Sequence, residues 1–208
     1  MQVFPGDPEV TITVAAEIAA DGFQVAEVHA GTHTGTHLDA PLHTVPGGAS
    51  VDQIDLSRLV GVARVVRLPM VDGGHVFVWS DVEAQLADLD AVAMVLFHTG
   101  WSQHFGTEQY LRHPSFDADI ARGLLDRGVS VVGVDTLNPD PTDLSGAEVD
   151  LPFHRALLGA DGVIVENLTN LASVDFADPW VSVLPLPFTG MDGSPVRAVA
   201  MEQNTPAG

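Results

Sequence analysis

The segment over residues 33–43 concentrates side chains that can bind divalent metals. His33, His37, Asp39 and His43 follow the spacing His-x3-His-x-Asp-x3-His. A neutral imidazole nitrogen is a good ligand for Zn, Fe, Ni and Mn, and a carboxylate oxygen can bridge two ions. This short stretch therefore predicts a metal site.

The same segment is not expected to form a regular helix. Gly35, Pro41 and the nearby threonines disfavour one, so the helical His pair of zinc proteases is a poor comparison. All four candidate side chains occupy odd positions, which share one face of an extended chain. We therefore predict that one short extended run directs them into one cavity. The alternative is a chance cluster of surface histidines, but four of the nine histidines lie between positions 29 and 43.

Absent residue types narrow the chemistry that the chain can supply. The sequence has no Cys, and its eight basic residues are all Arg. This composition excludes thiolate nucleophiles, Cys-bound zinc and lysine Schiff bases. Neither a Gly-x-Ser-x-Gly nucleophile motif nor a glycine-rich phosphate loop occurs. The remaining catalytic groups are His, Asp, Glu and water activated by a metal.

The length and composition predict one globular domain over residues 1–208. Hydrophobic residues make up 46% and charged residues 17%, as in folded proteins. A net charge of −20 makes nucleic acid and anionic membranes poor partners, because phosphates are bound by clustered Lys and Arg. No apolar run approaches the ~20 residues that span a bilayer, and the first residues do not look like a signal peptide. We therefore expect a soluble, cytoplasmic protein.

The pattern of apolar residues predicts many strands and few helices. Strands are expected at 11–14, 23–29, 62–68, 92–97, 129–134, 162–165, 181–186 and 196–201. Helices are expected at 80–89, at 117–127, just after Pro152, and at 167–172. Ser80 and Glu83 have the spacing of a capping box for the first helix, and Gly128 can end the second. The sum is an α/β domain.

Residues 35–43, Gly-Thr-His-Leu-Asp-Ala-Pro-Leu-His, also resemble the signature of a known family. The signature His-x-Gly-Thr-His-x-Asp-x-Pro-x-His belongs to the metal-dependent cyclase family, which includes bacterial kynurenine formamidases and isatin hydrolases. Further segments resemble the family at 5–7, 99–101, 133–136, 154–167 and 192–198. The resemblance implies the swivelling β/β/α fold of that family.

The resemblance also implies a set of metal ligands. His33, His37 and Asp39 correspond to the ligands of a first ion, with Asp39 bridging to a second. His154 and Glu166 correspond to the second block of ligands. The implied cofactor is one or two divalent ions per chain, with zinc expected and manganese as an alternative, because such sites also follow metal availability.

Two further residues receive roles from the resemblance. His43 corresponds to the general acid/base, and the alternative is that it is one more ligand. Phe4 occupies the place of a tryptophan that stacks on the substrate ring in formamidases, so the substrate can differ from theirs. Outside the motif, His29 is interpreted as supporting the site or the fold, and the remaining histidines as structural: His75, His98, His104 and His113.

The function that the resemblance implies is hydrolysis of a C–N amide bond in a small aromatic substrate by metal-activated water. The named activity is that of an arylformamidase acting on N-formylkynurenine. One alternative is an isatin-hydrolase-like or biosynthetic enzyme that opens or closes a cyclic amide or lactone. Another is a metal-binding protein without catalysis. The resemblance further suggests a homodimer or a larger homo-oligomer.

Overall fold

A computed structural model describes residues 1–89, 92–144 and 150–203 of the chain. Within these ranges the chain forms twelve strands, most of them short. They are β1 Thr11–Ala16, β2 Val25–His29, β3 His37–Asp39, β4 Val60–Arg67, β5 Val76–Phe77, β6 Met94–His98, β7 Ser115–Phe116, β8 Val131–Val134, β9 Val163–Glu166, β10 Trp180–Ser182, β11 Gly193–Pro195 and β12 Val199–Met201.

The helices within the described ranges are few and short, so the predicted balance of elements is confirmed. The four α-helices are α1 Ile18–Asp21, α2 Trp79–Val82, α3 Ala118–Leu125 and α4 Pro152–Leu158. Single 3-10 turns lie at Pro41–His43, Val51–Gln53, Leu56–Leu59, Glu83–Gln85, Trp101–His104, Glu108–Arg112 and Leu171–Ser173. None of the described helices has both the length and the apolar character needed to cross a bilayer.

One eight-stranded mixed sheet organises the molecule. Its strand order is β11-β3-β9-β8-β6-β4-β10-β12. The central strands β4, β6, β8 and β9 run parallel, whereas β3 runs antiparallel to both β9 and β11. Two further two-stranded sheets pair β1 with β2 and β5 with β7. The short strand β3 therefore lies beside the carboxyl-terminal end of the parallel strand β9.

The parallel strands β6, β8 and β9 are buried on both faces, which explains their nearly continuous apolar sequence. Alternate residues of β6 divide between two cores: Val95 and Phe97 face one, and Met94 and Leu96 face the other. The first core is closed by α3 and α4, through residues such as Ile120 and Phe153. The second core is closed mainly by 3-10 turns and the flanking strands.

The helix expected at 117–127 is confirmed, with bounds of Ala118–Leu125. The Asp117 side chain accepts the N–H of Asp119 at 2.8 Å, as an N-cap does. Gly128 follows with φ of 80°, a left-handed conformation that favours glycine. The turn after Pro152 is confirmed as α4.

The capping box expected at Ser80 is wrong. The helix begins one residue earlier, and the carboxylate of Asp81 accepts the N–H of Val78 at 2.8 Å. The α-helix ends at Val82 and continues only as a 3-10 turn.

The helix expected over 167–172 is also wrong. Asn167 and Asn170 have φ of 56° and 60°, values that interrupt a right-handed helix. Only the 3-10 turn Leu171–Ser173 forms there. The strands expected at 181–186 and 196–201 are shorter than predicted, as β10 and β12.

Candidate metal centre and active site

Strand β3 carries His37 and Asp39 into the buried end of the sheet. In the antiparallel register of β3 with β9, His37 lies directly opposite Glu166. His37 Nδ1 donates to the carbonyl oxygen of Gly35 at 2.8 Å, which leaves Nε2 to face the two carboxylates. That nitrogen lies 3.2 Å from Asp39 Oδ1 and 3.4 Å from Glu166 Oε2.

The prediction of one extended run from His33 to His43 is wrong, although the side chains do meet. Only His37–Asp39 is a strand; His33 lies in the turn before it, and His43 ends the 3-10 turn Pro41–His43. The chain bends at both ends of β3 and returns the two rings to the same place. The ring of His33 is centred 4.2 Å from that of His43 and 5.1 Å from that of His37.

The second block of candidate ligands reaches the same point from another direction. His154 lies on α4 and Glu166 ends β9, as expected from the apolar residues before it. His154 Nε2 lies 3.1 Å from Glu166 Oε1 and 3.5 Å from Asp39 Oδ2. The two sequence blocks therefore converge on the Asp39 carboxylate.

Asp39 belongs to two groups of side chains that could each hold an ion. Among the described residues, one group is His33, His37 and Asp39, and another is Asp39, His154 and Glu166; within each, the ligand atoms lie within 4.8 Å of one another. A third group combines His33 and His43 with Asp192.

Buried polar atoms at this point are left without hydrogen-bond partners. In the described part of the chain these atoms include His37 Nε2, Asp39 Oδ2 and Glu166 Oε1. Glu166 Oε1 is near His154 Nε2, but the contact is not aligned as a hydrogen bond. An unsatisfied buried donor or acceptor is costly, whereas cations bound by the two groups would satisfy these three atoms. The donor set of imidazole nitrogens and carboxylate oxygens therefore fits a divalent metal.

The local charges follow from burial and close pairing. Burial alone would raise the pKa of Asp39, but the surrounding His37, His154 and His33 lower that pKa well below its usual range. Burial, together with the charge of Asp39, raises the pKa of Glu166. Burial also lowers the pKa of His43, despite the opposing charge of Asp39. Two carboxylates held this close repel each other unless positive charge lies between them.

A cavity of about 190 Å³ opens onto these groups. His33, His37, His43, His154 and Glu166 all line it, so the structure brings the candidate ligands and the candidate acid/base to one space. Phe4 lines the same cavity and packs against a small cluster that includes Trp101 and Tyr110. Trp101 itself is buried and donates from Nε1 to the carbonyl oxygen of Tyr110 at 3.2 Å, so its role is structural.

The remaining histidines lie elsewhere. His29 is exposed on β2 and is not among the residues that line the cavity. His113 is buried: Nδ1 faces the carbonyl oxygen of Pro114 at 2.9 Å, and Nε2 faces Thr142 Oγ1 at 2.8 Å. This pairing agrees with the structural interpretation of His113.

Two aspartates at the site are missed by the sequence reasoning. Asp140 Oδ2 lies 2.6 Å from His154 Nδ1, and Asp192 Oδ2 lies 2.9 Å from His33 Nε2. Nothing in the spacing between Asp140 and His154 reveals their contact. Asp192 is part of the 192–198 segment that resembles the family, which is the one signal that could have drawn attention to it.

Comparison with known proteins shows which family this chain resembles along its length. A Cyclase family model matches residues 1–141. The kynurenine formamidase of Salinibacter ruber is 36% identical over 210 residues, covering 98% of this chain and 93% of the relative. The kynurenine formamidase of Geobacillus thermodenitrificans is 34% identical over 200 residues, covering 94% of this chain and 89% of the relative.

Solved structures of related fold include isatin hydrolase A from Ralstonia solanacearum. It superposes with a TM-score of 0.80 at 26% identity, covering 97% of this chain and 86% of that one. An isatin hydrolase bound to the product analogue thioisatinate has a TM-score of 0.82 at 24% identity, covering 96% of this chain and 86% of that one. The cyclase-like fold expected from the sequence is thus confirmed. By the family model and by relatives above 30% identity along nearly its whole length, this chain belongs to the cyclase family.

Proposed function

We propose that this protein is a metal-dependent hydrolase that cleaves the C–N bond of a small aromatic amide, with an aryl formamide such as N-formylkynurenine as substrate. The observation that carries the proposal is the position of Asp39. It is shared by two groups of potential metal ligands that open, beside His43, onto one cavity.

The relatives support the class of reaction. Two relatives at 36% and 34% identity are named kynurenine formamidases, and a solved structure at 26% identity is isatin hydrolase A. The chain is accordingly an amidohydrolase acting on C–N bonds other than peptide bonds. The use of metal, the substrate and the roles of individual residues are the proposed part.

Five side chains would hold the ions. His33, His37 and Asp39 would bind one, and His154 and Glu166 would bind a second that shares Asp39. Bound divalent ions supply Lewis-acid chemistry: they lower the pKa of a water molecule and stabilise negative charge on a carbonyl oxygen. The chain's own contribution is to hold five ligands in fixed positions in a buried place, so that little reorganisation is needed during the reaction.

His43 is proposed to move the proton that amide hydrolysis requires. Its ring lines the cavity, 5.6 Å between centroids from the ring of His154. Imidazole titrates near neutral pH, so it can accept a proton from attacking water and return it to the departing nitrogen. A protein that only bound metal would not need this group at the cavity.

Phe4 is proposed to orient the aromatic part of the substrate. It is part of the cavity wall, where an aromatic ring can stack on a planar ligand. The cavity volume of about 190 Å³ favours a compact substrate. This combination supports an aryl amide in preference to a long aliphatic one.

A second candidate reaction is the opening of a cyclic amide. It is supported by the similarity of the fold to isatin hydrolase A from Ralstonia solanacearum. The same proton transfer by His43 would serve either reaction, because both break an amide C–N bond.

The β1–β2 ribbon supports the further proposal of a homodimer. Ile12 pairs with Val28 and Val14 with Ala26, which puts these exposed apolar side chains on one face. A two-stranded ribbon alone is marginally stable in water, so a second copy covering this face would stabilise it. Sedimentation velocity tests this expectation, and a monomer at micromolar concentration would contradict it.

The function is tested by assaying the metal-loaded protein against N-formylkynurenine, formanilide and isatin, beside H43A as a matched control. We expect hydrolysis of the formamides and a loss of about 10²-fold in turnover for H43A, with metal retained. Turnover of isatin alone would support the second candidate reaction. Metal binding without turnover of any compound would support a binding protein, and loss of metal in H43A would make His43 a ligand.

A further inference from the structure

We infer that Asp192 is a positioning residue that holds His33 and His43 together, so that one carboxylate orients both a metal ligand and the proton-transfer group. The inference rests on the proposed function, since it concerns how that site is held. Asp192 lies at the far end of the sequence from both histidines, and it reaches them because β11 pairs with β3.

One oxygen of the Asp192 carboxylate faces both rings, and the other faces Thr32. Its Oδ2 lies 2.9 Å from His33 Nε2 and 3.4 Å from His43 Nδ1. Its other oxygen, Oδ1, accepts a hydrogen bond from Thr32 Oγ1 at 3.1 Å. Thr32 therefore fixes the orientation of the carboxylate and leaves Oδ2 facing the histidines.

The backbone around Asp192 holds that carboxylate in register with the candidate ligands. The carbonyl oxygen of Asp192 accepts the N–H of Ala40 at 2.8 Å, and Gly193 pairs with Asp39 in the sheet. The His33 ring lies directly on Gly193, where a Cβ would come within 2.6 Å of His33 Cε1. The ring is thus enclosed between a carboxylate and a bare backbone.

A shared acceptor has consequences for the tautomer of each ring. If Oδ2 accepts from both rings, His33 carries its proton on Nε2 and His43 carries its proton on Nδ1. His33 then presents Nδ1, which lies 2.7 Å from Asp39 Oδ1, toward the candidate metal ligands. In the metal-free protein a second proton, on Nδ1, is shared in a hydrogen bond with this oxygen, and a cation bound by both atoms would replace that proton.

His43 gains a defined role from the same contact. With Nδ1 bonded to Asp192, its Nε2 is the nitrogen left to exchange a proton. In many hydrolases a carboxylate fixes the tautomer and orientation of the general base. In many metal sites a carboxylate hydrogen-bonds to a histidine ligand and orients it in the same way. Asp192 would serve in both ways at once.

The position of Asp192 agrees with a functional role more than with a structural one. About 37% of its side chain is exposed, whereas Asp140, behind His154, is fully buried. D192N should therefore fold. Asp52 offers a matched control, because its carboxylate accepts the N–H of Gly190 at 2.9 Å and so supports the same loop without contacting either histidine.

The test compares the wild type, D192N, H43A and the double variant, with D52N as the control. Zinc affinity is measured by competition with a chelator, and kcat and KM are measured at saturating zinc. We expect D192N to weaken zinc binding about 10- to 100-fold in both backgrounds. We expect it to lower kcat about 10-fold or more in the wild type, but less than about threefold in H43A. D52N should change none of these values.

A spectroscopic readout separates this inference from the proposed function. Long-range ¹H–¹⁵N spectra of the histidines in the zinc-loaded protein should show His43 protonated on Nδ1, and D192N should give a mixture of tautomers. If the tautomers change in this way but the protein hydrolyses no aromatic amide, the proposed substrate is refuted and the positioning role of Asp192 is supported. Unchanged zinc affinity, unchanged tautomers, or equal losses of kcat in both backgrounds would overturn the inference.

A second variant covers the case in which D192N unfolds at a lower urea concentration than D52N. Thr32→Val releases only Oδ1 of Asp192 and leaves its charge in place. We expect it to lower kcat about two- to fivefold in the wild type and not in H43A. An equal decrease in both backgrounds would again overturn the inference.

Discussion

His154 Nδ1 lies 2.6 Å from Oδ2 of Asp140, and both side chains are buried. The same carboxylate accepts the backbone N–H groups of Phe153 and His154 at 2.7 and 3.0 Å. One aspartate thus sets both the start of α4 and the orientation of the ring that it carries. It leaves Nε2 of His154 directed toward Asp39 and Glu166.

Asp140→Asn should therefore weaken metal binding and lower stability together. We expect about a 10- to 100-fold loss of affinity for the ion held by His154, as for other partners of ligand histidines. Loss of the buried carboxylate should cost about 1–3 kcal/mol of unfolding free energy. Zinc titration and urea unfolding measure the two effects. Asp150→Asn is the control, because Asp150 pairs at the surface with Arg155 of the same helix. Unchanged zinc affinity in D140N would show that Asp140 does not orient His154 for metal binding.

Gly193→Ala should displace the His33 ring. The added Cβ would approach His33 Cε1 to 2.6 Å and both ring nitrogens to 3.0 Å. We expect about a tenfold weaker zinc affinity, because the ligand can no longer hold its position. Isothermal titration of the metal-free protein with zinc measures the change.

Gly123→Ala is the matched control for this overlap. Its Cβ would meet the Trp79 ring at 2.4 Å, between α2 and α3. It should lower the unfolding free energy by about 1–3 kcal/mol, as overpacking does, and leave zinc affinity unchanged. If both glycine variants weakened zinc binding equally, general destabilisation would explain the effect.

Phe4→Ala should raise KM for aromatic substrates more than it lowers kcat. Lost ring contact is worth about 0.5–1.5 kcal/mol, which corresponds to a change of about 2- to 12-fold. Phe4→Trp should improve turnover of N-formylkynurenine if the cavity binds an aryl formamide. Steady-state kinetics test both, with Phe105→Ala as a control because Phe105 is an exposed aromatic outside the lining of this cavity. An unaltered KM in Phe4→Ala would remove Phe4 from the binding site.

His113 should make the fold sensitive to acid. Burial lowers the pKa of His113 to about 4, so the folded protein keeps this ring neutral. An unfolded chain protonates it near pH 6.5, and stability is therefore lost as the pH falls from about 6.5 toward 4. Between pH 7 and 5 the wild type should lose about 2 kcal/mol more than His113→Asn. Urea unfolding at the two pH values measures this difference; equal losses would contradict the neutral assignment.

The sequence predicts the site better than it predicts the path of the chain through it. His37 and Asp39 were expected on one extended face, and they occupy β3. His33 and His43 reach the same place only because the chain turns at each end of that strand, which a period of two does not encode. The side-chain period of two therefore identified the correct four residues, but it explains the positions of only His37 and Asp39.

Contacts that depend on the order of strands in the sheet could not be predicted from the sequence. Asp192 meets His33 because β11 lies beside β3, and no local pattern specifies that pairing. The wrong prediction of a helix over 167–172 has a local cause, because Asn167 adopts a left-handed conformation. The buried parallel strands were predicted well, since their apolar runs leave few other structures.

The proposed activity depends above all on divalent metal at the Asp39 carboxylate, which the two groups of ligands share. The most direct measurement is a titration of the metal-free protein with zinc, following bound metal by elemental analysis and hydrolysis of an aryl formamide in the same samples. We expect no turnover without metal and about two equivalents of zinc at full activity, as two-ion sites require. Less than about a tenth of an equivalent under replete conditions, or full activity without metal, would contradict the account.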